Sequence, residues 1–199
     1  MADLIREEYS TFSPEHPVPE TMEGARFYHC VFRGLELEEI QWKNCVFDSC
    51  LFPFTRFRGG VLEQCGLLNC VFENSVFFNT TLICCKCTGS NFSGAKRTAL
   101  TFQGGDYSYC SLEQSVFRKA DLSGVIFRCA DLRQSDLRQA DLTGADLTSA
   151  LLQQTDLTGA DLREAKVEGV DFRQIKMKNT RIGLEQAVEI ARSMGCVLE

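Results

Sequence analysis

Residues 120–164 read ADLSG VIFRC ADLRQ SDLRQ ADLTG ADLTS ALLQQ TDLTG ADLRE, one five-residue pattern repeated nine times without a gap. A period of five matches neither the 3.6-residue turn of an α-helix nor the two-residue alternation of a β-strand. It indicates a chain that turns a corner every five residues. A short fixed period of this kind determines the fold of the whole segment in which it occurs.

The same pattern continues on both sides of this segment. From Phe27 to Met177 every fifth residue is a core position, and of these 31 positions 12 are Phe and 13 are Leu. The residue two before it, the small position, is mostly Ala, Cys or Ser, and the residue two after it, the corner position, is often Gly or Asn. We expect the core and small positions to point inward. We expect the corner position to be the third residue of a type II turn, which requires a positive φ.

These repeats resemble the A-(D/N)-L-x-x pattern of the pentapeptide-repeat family. The resemblance implies an all-β fold, a right-handed quadrilateral parallel β-helix in which four repeats form one square coil. With a rise of ~4.8 Å per coil, the 31 repeats would make roughly 7.75 coils and a solenoid roughly 37 Å long. On this geometry, residues 20 positions apart lie directly above one another.

The period changes near the C-terminus, where RIGLEQAVEIARSMGCVLE (181–199) has helical spacing and Gly195 is a natural helix stop. We therefore expect a short C-terminal α-helix. The blocks VDFRQIKMKN (170–179) and LEQAVEIARSMGCVL (184–198) resemble the ending of the quinolone-resistance pentapeptide proteins, Qnr and MfpA. The resemblance implies a head-to-head homodimer, which would bury one apolar patch across a two-fold axis: Met177, Leu184, Val188, Ala191, Met194, Val197 and Leu198.

Three segments follow from these patterns. Residues 1–24 form an acidic N-terminal leader or cap, in which Tyr9 and Phe12 would cover the first coil. Residues 25–181 form the β-helix, and residues 182–199 form the helix and dimerisation or capping tail. No basic segment followed by an apolar run indicates a signal peptide, and no apolar stretch is long enough to span a membrane, so we expect a cytoplasmic protein.

The formal charge of −6 argues against direct binding to nucleic acid, which favours basic proteins. The outward position just before the core residue is rich in aspartate in the second half of the chain. On a 20-residue coil, Asp121, Asp141 and Asp161 would stack on one side, and we call them the acidic stripe. Two interpretations are open: these side chains bond to turn amides as part of the repeat, or the stripe imitates DNA phosphates.

Eleven cysteines suggest neither disulfides nor a metal site. Seven occupy small positions, where Cys is a compact apolar filler, and we expect them to be free thiols in a reducing compartment: Cys30, Cys45, Cys50, Cys65, Cys70, Cys85 and Cys110. Cys84, Cys85 and Cys87 lack zinc spacing, and both histidines are distant in sequence. The sequence contains no nucleophile–base set or phosphate loop, so we expect no enzyme activity and no cofactor.

Two local features depart from the repeat. Arg97 is the one charged residue at a core position, and a buried unpaired guanidinium is costly. We therefore predict that residues 96–99 bulge outward, or that Arg97 turns to solvent, with Leu100 and Phe102 resuming the core. In the first half, Val31, Leu51 and Val71 would form a stacked outward row, which is either ordinary β-surface or a contact patch.

The resemblance implies a protein that binds a type II topoisomerase, DNA gyrase or topoisomerase IV, as a DNA mimic. In the related family such binding modulates gyrase and protects it from quinolones or natural gyrase poisons. The unbroken register resembles MfpA more than the loop-bearing Qnr proteins. The alternative is a protein–protein interaction scaffold unrelated to gyrase.

Overall fold

The computed structural model describes residues 5–197, which form two compact units, a first unit ending at Asp106 and a second unit beginning at Tyr107. The first unit is built from short parallel strands. They are β1 (Arg6–Glu8), β2 (Thr11–Phe12), β3 (Thr21–Glu23), β4 (Arg26–Tyr28), β5 (Val31–Phe32), β6 (Glu36–Glu38), β7 (Gln41–Lys43), β8 (Val46–Asp48), β9 (Arg56–Arg58), β10 (Val61–Glu63), β11 (Gly66–Leu68), β12 (Val76–Phe78), β13 (Thr81–Ile83), β14 (Lys96–Thr98) and β15 (Thr101–Gln103).

These strands form four parallel sheets, one for each side of a square coil. Their orders are β1-β4-β8-β11, β2-β5, β6-β9-β12-β14 and β3-β7-β10-β13-β15. Each pairing joins residues 20 positions apart, as in Phe27 with Phe47. Four repeats therefore make one coil, and the predicted quadrilateral parallel β-helix is confirmed.

The second unit uses the same 20-residue step with even shorter contacts. On each side of the coil, the paired segment is a single parallel bridge, such as Ser111 with Asp131 or Val116 with Asp136, and turns separate the sides. The unit ends in the predicted helix, α1 (Leu184–Ser193). Among residues 5–197, no helix is both long enough and apolar enough to cross a lipid bilayer.

The corner position adopts the left-handed conformation that the sequence predicts. Every Gly and Asn assigned to a corner has a positive φ, and so do residues as different as Glu39, Gln114 and Lys119. Among the described corners from Tyr9 to Asn179, the exceptions are Pro14, Pro19 and Gln174. Proline holds φ near −65°, so the two prolines cannot form this corner.

The core positions fill both units with buried side chains. In the first unit, Phe12, Phe32, Phe52, Phe72 and Phe92 form a column in which neighbouring rings stack at centroid distances of 4.6–4.9 Å. Stacked aromatic pairs of this kind contribute about 0.5–1.5 kcal/mol each beyond the area they bury. In the second unit the core is mainly leucine, and each Leu from Leu112 to Leu162 at a core position is buried.

The two units differ in the donors that predominate at the carbonyl groups of their core residues, although each unit contains both kinds. In the first unit, a thiol or hydroxyl at a small position donates to the core carbonyl 23 residues earlier. Cys50 Sγ–H donates to Phe27 O, and Thr55 Oγ1–H donates to Phe32 O. The other donors of this kind are Cys45, Cys65, Cys70, Ser75, Thr80, Cys85 and Ser90.

In the second unit, the backbone N–H of the small residue donates to the core carbonyl three residues before it. Ala130 N–H donates to Phe127 O at 3.1 Å, and Ala140 N–H donates to Leu137 O at 3.1 Å. This is the i to i+3 bond of a β-turn, and with the positive φ at the corner it matches a type II turn. A side-chain donor is then unnecessary, so alanine suffices at the small position.

The coil begins before the first predicted repeat. β1, β2 and β3 each pair with the strand one coil later, so the described part of the acidic leader contributes strands to the solenoid. Phe12 stacks on Phe32, as predicted for a residue that covers the first coil. Tyr9 does not cover it, because Tyr9 is exposed and stacks on His29.

The predicted bulge of residues 96–99 is wrong, and Arg97 turns only partly toward solvent. β14 pairs with β12 in regular register, and Arg97 lies opposite the core residue Phe77. The half-buried guanidinium donates from Nη1 to the Phe92 carbonyl at 2.6 Å, which compensates part of its desolvation. Leu100 and Phe102 are buried, as predicted.

Candidate partner-binding surfaces

The acidic stripe lies on one side of the second unit. Parallel bridges join Asp121 to Asp141 and Asp141 to Asp161, so the three residues stack on successive coils. A further bridge joins Asp161 to Arg181, which ends the row of acids with a cation. The stacking follows from the 20-residue coil, but a role for the stripe in binding stays a prediction.

The aspartates at the outward position bond to the turn that follows. In each case one carboxylate oxygen accepts the backbone N–H of the residue two positions later, as Asp121 does from Ser123 and Asp141 from Thr143. The other aspartates with this bond are Asp131, Asp136, Asp146, Asp156, Asp161 and Asp171. Aspartate is therefore part of the repeat geometry, which leaves the second carboxylate oxygen as the group that can meet a partner.

The three members of the stripe carry different effective charge. Asp161 pairs with Arg163 at 2.7 Å and with Arg181 at 3.3 Å, and the hydrogen bonds from Arg163 help lower its pKa to about 2. Hydrogen bonds from Ser123 lower the pKa of Asp121. In the described part of the chain, Asp121 and Asp141 have no ion-pair partner within 4 Å. The exposed negative charge of the stripe therefore lies at Asp121 and Asp141.

Arginine neutralises many of the remaining aspartates of the second unit. Asp131, Asp136 and Asp171 each pair with an arginine two residues later, and Asp146 pairs with Arg128 at 2.7 Å. In the sequence, a D-L-R triplet predicts the ion pairs at Asp131, Asp136 and Asp161.

The net charge of the two halves does not follow their aspartate content. Residues 1–106 contain 9 Lys and Arg and 13 Asp and Glu, and residues 107–199 contain 12 and 14, so the formal charges are −4 and −2. The aspartate-rich half is thus not the more acidic half.

The C-terminal helix closes the second unit through a polar residue. Gln186 is the buried residue of α1; its amide Nε2 donates to Ala165 O at 2.7 Å, and its Oε1 accepts the Gly183 N–H at 3.0 Å. One coil earlier, Lys166 N–H donates to Ala145 O at 2.8 Å. The Gln186 side chain therefore supplies the donor that the backbone of a further coil would have supplied. Nothing in the sequence periodicity marks this glutamine as a cap.

The apolar residues of the tail are left open to solvent. Leu184 is 82% exposed, Met194 is 58% exposed and Val197 is 88% exposed. Met177, Val188 and Ala191 are half-buried, and Leu198 lies outside the described residues. These residues were predicted to form a dimer interface, and that role stays a prediction.

The cysteines behave as the sequence predicts. All eleven are free thiols, and the seven at small positions are buried. A thiol–thiol hydrogen bond with Cys65, together with burial, raises the pKa of the Cys45 thiol, which makes that thiol less reactive. Within residues 5–197, no group of His, Cys, Asp or Glu is arranged to hold a metal ion.

The repeats of the second unit match a known protein family. Residues 108–139 and 140–179 match the family model for pentapeptide repeats, in eight copies. Residues 108–179 therefore consist of pentapeptide repeats, as the sequence resemblance predicts, and both units share one quadrilateral coil.

Among solved structures, the fold is similar to that of QnrB1, described as a plasmid-mediated fluoroquinolone resistance protein. A trypsin-treated variant of QnrB1 aligns with a TM-score of 0.79 and 18% identity over 98% of both chains. Full-length QnrB1 aligns with a TM-score of 0.71 and 18% identity over 97% of this chain and 98% of QnrB1. No curated protein sequence matches the chain.

Proposed function

We propose that the protein binds a type II topoisomerase, DNA gyrase or topoisomerase IV, as a DNA mimic, and that binding modulates the enzyme and protects it from quinolones or related poisons. The observation that carries the proposal is the fold similarity to QnrB1 over nearly the whole of both chains. The stacked aspartates add local support. No catalytic step is required, because the protein would act by occupying the groove that holds DNA.

The charge of the acidic stripe sets the scale of the imitation. Three aspartates span two coil spacings, about 9.6 Å, whereas B-DNA carries about six phosphate charges over that length. Arginine neutralises Asp161, so the effective number is nearer two. The shape of the coil must therefore provide most of the complementarity to the DNA-binding groove. Asp121 and Asp141 would add an electrostatic attraction that weakens with salt.

The same proposal includes a homodimer formed through the C-terminus. The polar side chain of Gln186 faces the solenoid, while Leu184, Met194 and Val197 face solvent. Leu184 at the start of α1, with Met194 and Val197 beyond its end, is therefore available to another surface. A second copy offers the same patch, and a two-fold axis closes such a contact without further growth.

The seven buried free thiols fit a protein that acts in the reducing cytoplasm, where the DNA-bound topoisomerase would be found. They would not form disulfides there, and their reaction with oxidants is suppressed by burial.

The binding test uses purified gyrase and topoisomerase IV, a supercoiling or decatenation assay with and without a quinolone, and a direct affinity measurement. Neutralising Asp121→Asn and Asp141→Asn together should weaken binding about tenfold and flatten its salt dependence. The matched control, Asp131→Asn with Asp171→Asn, makes the same change in net charge at turn-bonded aspartates already paired with arginine. It should have a smaller effect on affinity.

If the wild-type chain binds neither enzyme, the topoisomerase proposal fails and an interaction scaffold for another protein becomes the better reading. If both double variants weaken binding equally, net charge matters and the stripe does not.

The dimer test places charges on the exposed apolar residues. Leu184→Glu with Met194→Glu should give a monomer in sedimentation velocity with an unchanged circular dichroism spectrum. Val116→Glu, at a residue of the second unit that is 69% exposed, is the control and should leave the oligomeric state unchanged. Persistence of the dimer in the double variant places the contact elsewhere.

A further inference from the structure

A second self-complementary surface lies on the first unit, on the side that contains β2 and β5. Val31, Leu51 and Val71 are joined by parallel bridges into an outward apolar row. Leu51 is 43% exposed and the two valines are half-buried. Beside this row, Arg33, Pro53 and Glu73 have the same 20-residue spacing, so a cation and an anion flank a proline.

An aromatic residue protrudes from the corner of this side. Phe54 is 57% exposed and has a φ of 59°, a conformation that bulky residues rarely adopt. The equivalent corners one coil away are Gly34, where an added Cβ would meet nothing within 4 Å, and Asn74. Phe54 makes no ring contact with another aromatic side chain in the described part of the chain. The chain thus holds an exposed ring in an unfavourable backbone conformation without an aromatic contact to compensate.

The charges of this side are arranged differently from those elsewhere in the first unit. Other opposite charges lie one coil apart and pair within the chain, as Arg56 does with Glu36 and Lys43 with Glu63. Arg33 and Glu73 lie two coils apart, about 9.6 Å along the coil axis. Within residues 5–197, neither has an ion-pair partner within 4 Å.

A second copy of the chain satisfies all of these groups at once. A two-fold axis lying across this side at the level of Leu51 and Pro53 brings two copies face to face in antiparallel orientation. Arg33 of each copy then faces Glu73 of the other, and Val31 faces Val71. Leu51 and Phe54 face their own counterparts across the axis. Such a contact is isologous, because the same patch serves both copies.

We propose that this side of the first unit mediates antiparallel self-association of the protein. The patch runs from Thr11 to Asn91, four coil spacings or about 19 Å. A patch of this length on one side of the coil suits a weak association that depends on protein concentration. Salt weakens it, since Arg33 and Glu73 are exposed to solvent. It is separate from the C-terminal contact and does not depend on topoisomerase binding.

The test is a charge-reversal series in the full-length chain, measured by sedimentation velocity over a wide concentration range. It is run in the wild-type background and in Leu184→Glu with Met194→Glu, so that any C-terminal contact is accounted for. R33E and E73R each place like charges opposite one another and should weaken self-association about tenfold or more. The double variant R33E/E73R restores both pairs and should associate as the wild type does.

Mixing the two single variants identifies the occupant of the surface. A copy carrying R33E and a copy carrying E73R are complementary to each other, although each repels itself. The equimolar mixture should therefore associate where the separate proteins do not. R56E makes the same charge change on the neighbouring side, and it should leave self-association unchanged.

Phe54→Asn removes the ring and supplies a residue suited to a positive φ. It should weaken association roughly threefold to tenfold without loss of thermal stability. The proposal is overturned if the wild type shows no salt-sensitive association, in which case the surface serves a different protein or none. It is also overturned if R33E/E73R, or the mixture of single variants, fails to restore association.

Discussion

The first and second units use one coil with two different arrangements of hydrogen bonds. In the first unit, core carbonyls accept thiol and hydroxyl groups from the following coil, as Phe32 O does from Thr55. In the second unit, they accept the backbone N–H of the turn itself, as Leu137 O does from Ala140. Thiol and hydroxyl donors are thus concentrated at the small positions of the first unit. Where the turn bonds the carbonyl, as it does in most of the second unit, Ala is sufficient at the small position.

The two units also differ in the residues that fill their cores. Aromatic columns fill the first unit, and stacked rings such as Phe57 and Phe77, 4.6 Å apart, link successive coils. Leucine fills the second unit and has no such directional contact. Stacked rings thus add contacts between the coils of the first unit, while backbone hydrogen bonds join successive coils in both units.

The largest expected effect on stability comes from substitutions that compare the aromatic core of the first unit with the leucine core of the second. Phe52→Ala removes a ring that stacks on both Phe32 and Phe72, and it should lower the free energy of unfolding by about 3–5 kcal/mol. Leu152→Ala, on the corresponding side of the second unit, should cost about 2–5 kcal/mol, without the stacking term. Urea denaturation followed by Trp42 fluorescence reports the first unit, because Trp42 is the one tryptophan.

Phe52→Ala should lower the urea concentration at the midpoint of the unfolding transition that Trp42 fluorescence follows. If Leu152→Ala moves the Trp42 midpoint equally, the two units unfold as one cooperative structure. Equal losses for both substitutions would show that the aromatic columns add nothing beyond burial.

A matched pair of threonines tests the carbonyl bonding directly. Thr55 and Thr155 are both fully buried and both donate to the core carbonyl 23 residues earlier. Thr55→Val leaves Phe32 O without the side-chain donor and should cost about 1–3 kcal/mol. Thr155→Val should cost less, because Ser135 N–H still donates to Leu132 O. Equal losses in chemical denaturation would contradict the distinction between the units.

The cap of the second unit provides the next comparison. Gln186→Leu leaves Ala165 O and Gly183 N–H unbonded and should cost about 1–3 kcal/mol. The loss should be local, so hydrogen exchange should accelerate in α1 and in the last coil while the first unit keeps its protection. Unchanged exchange in α1 would show that other contacts hold the helix.

The smallest expected effect is a local loss of stability at low pH. Hydrogen bonds from Arg163 and Arg173 lower the pKa values of Asp161 and Asp171 to about 2. A carboxyl whose pKa is lower when folded stabilises the fold above its unfolded pKa near 4, and that stabilisation is lost as pH falls toward 2. Hydrogen exchange at the corners after both residues should therefore rise in this window. Asp171→Asn should remove the pH dependence at its own corner, and its retention would assign the effect to another group.

Much of this fold could be predicted from the sequence, because the residue types within each repeat indicate which positions point inward and which form the corner. The core and small positions and the positive φ at Gly and Asn corners follow from a period of five. The start of the coil at Arg6 could not be predicted, because Pro14 and Pro19 hide the repeat where proline forbids a positive φ. The bulge at Arg97 was wrongly predicted because the sequence does not show that the Phe92 carbonyl is available as an acceptor.

The candidate surfaces were predictable in position but not in charge. The stacking of Asp121, Asp141 and Asp161 follows from the coil length. Their unequal charge depends on Arg163 and Arg181, whose side chains reach Asp161 from its own coil and from the next. Gln186 was missed because a polar residue within an amphipathic helix normally indicates the solvent side.

The 20-residue register also limits how this protein can change in length during evolution. An insertion or deletion of one repeat rotates everything beyond it by a quarter turn, so aspartates, arginines and corners meet new neighbours. A change of four repeats adds or removes a whole coil and returns every later residue to its original side. Gln186 would still find the carbonyl that it caps. Viable length variants should therefore differ by multiples of 60 nucleotides, and each such step would shift the C-terminal patch along the coil axis without turning it.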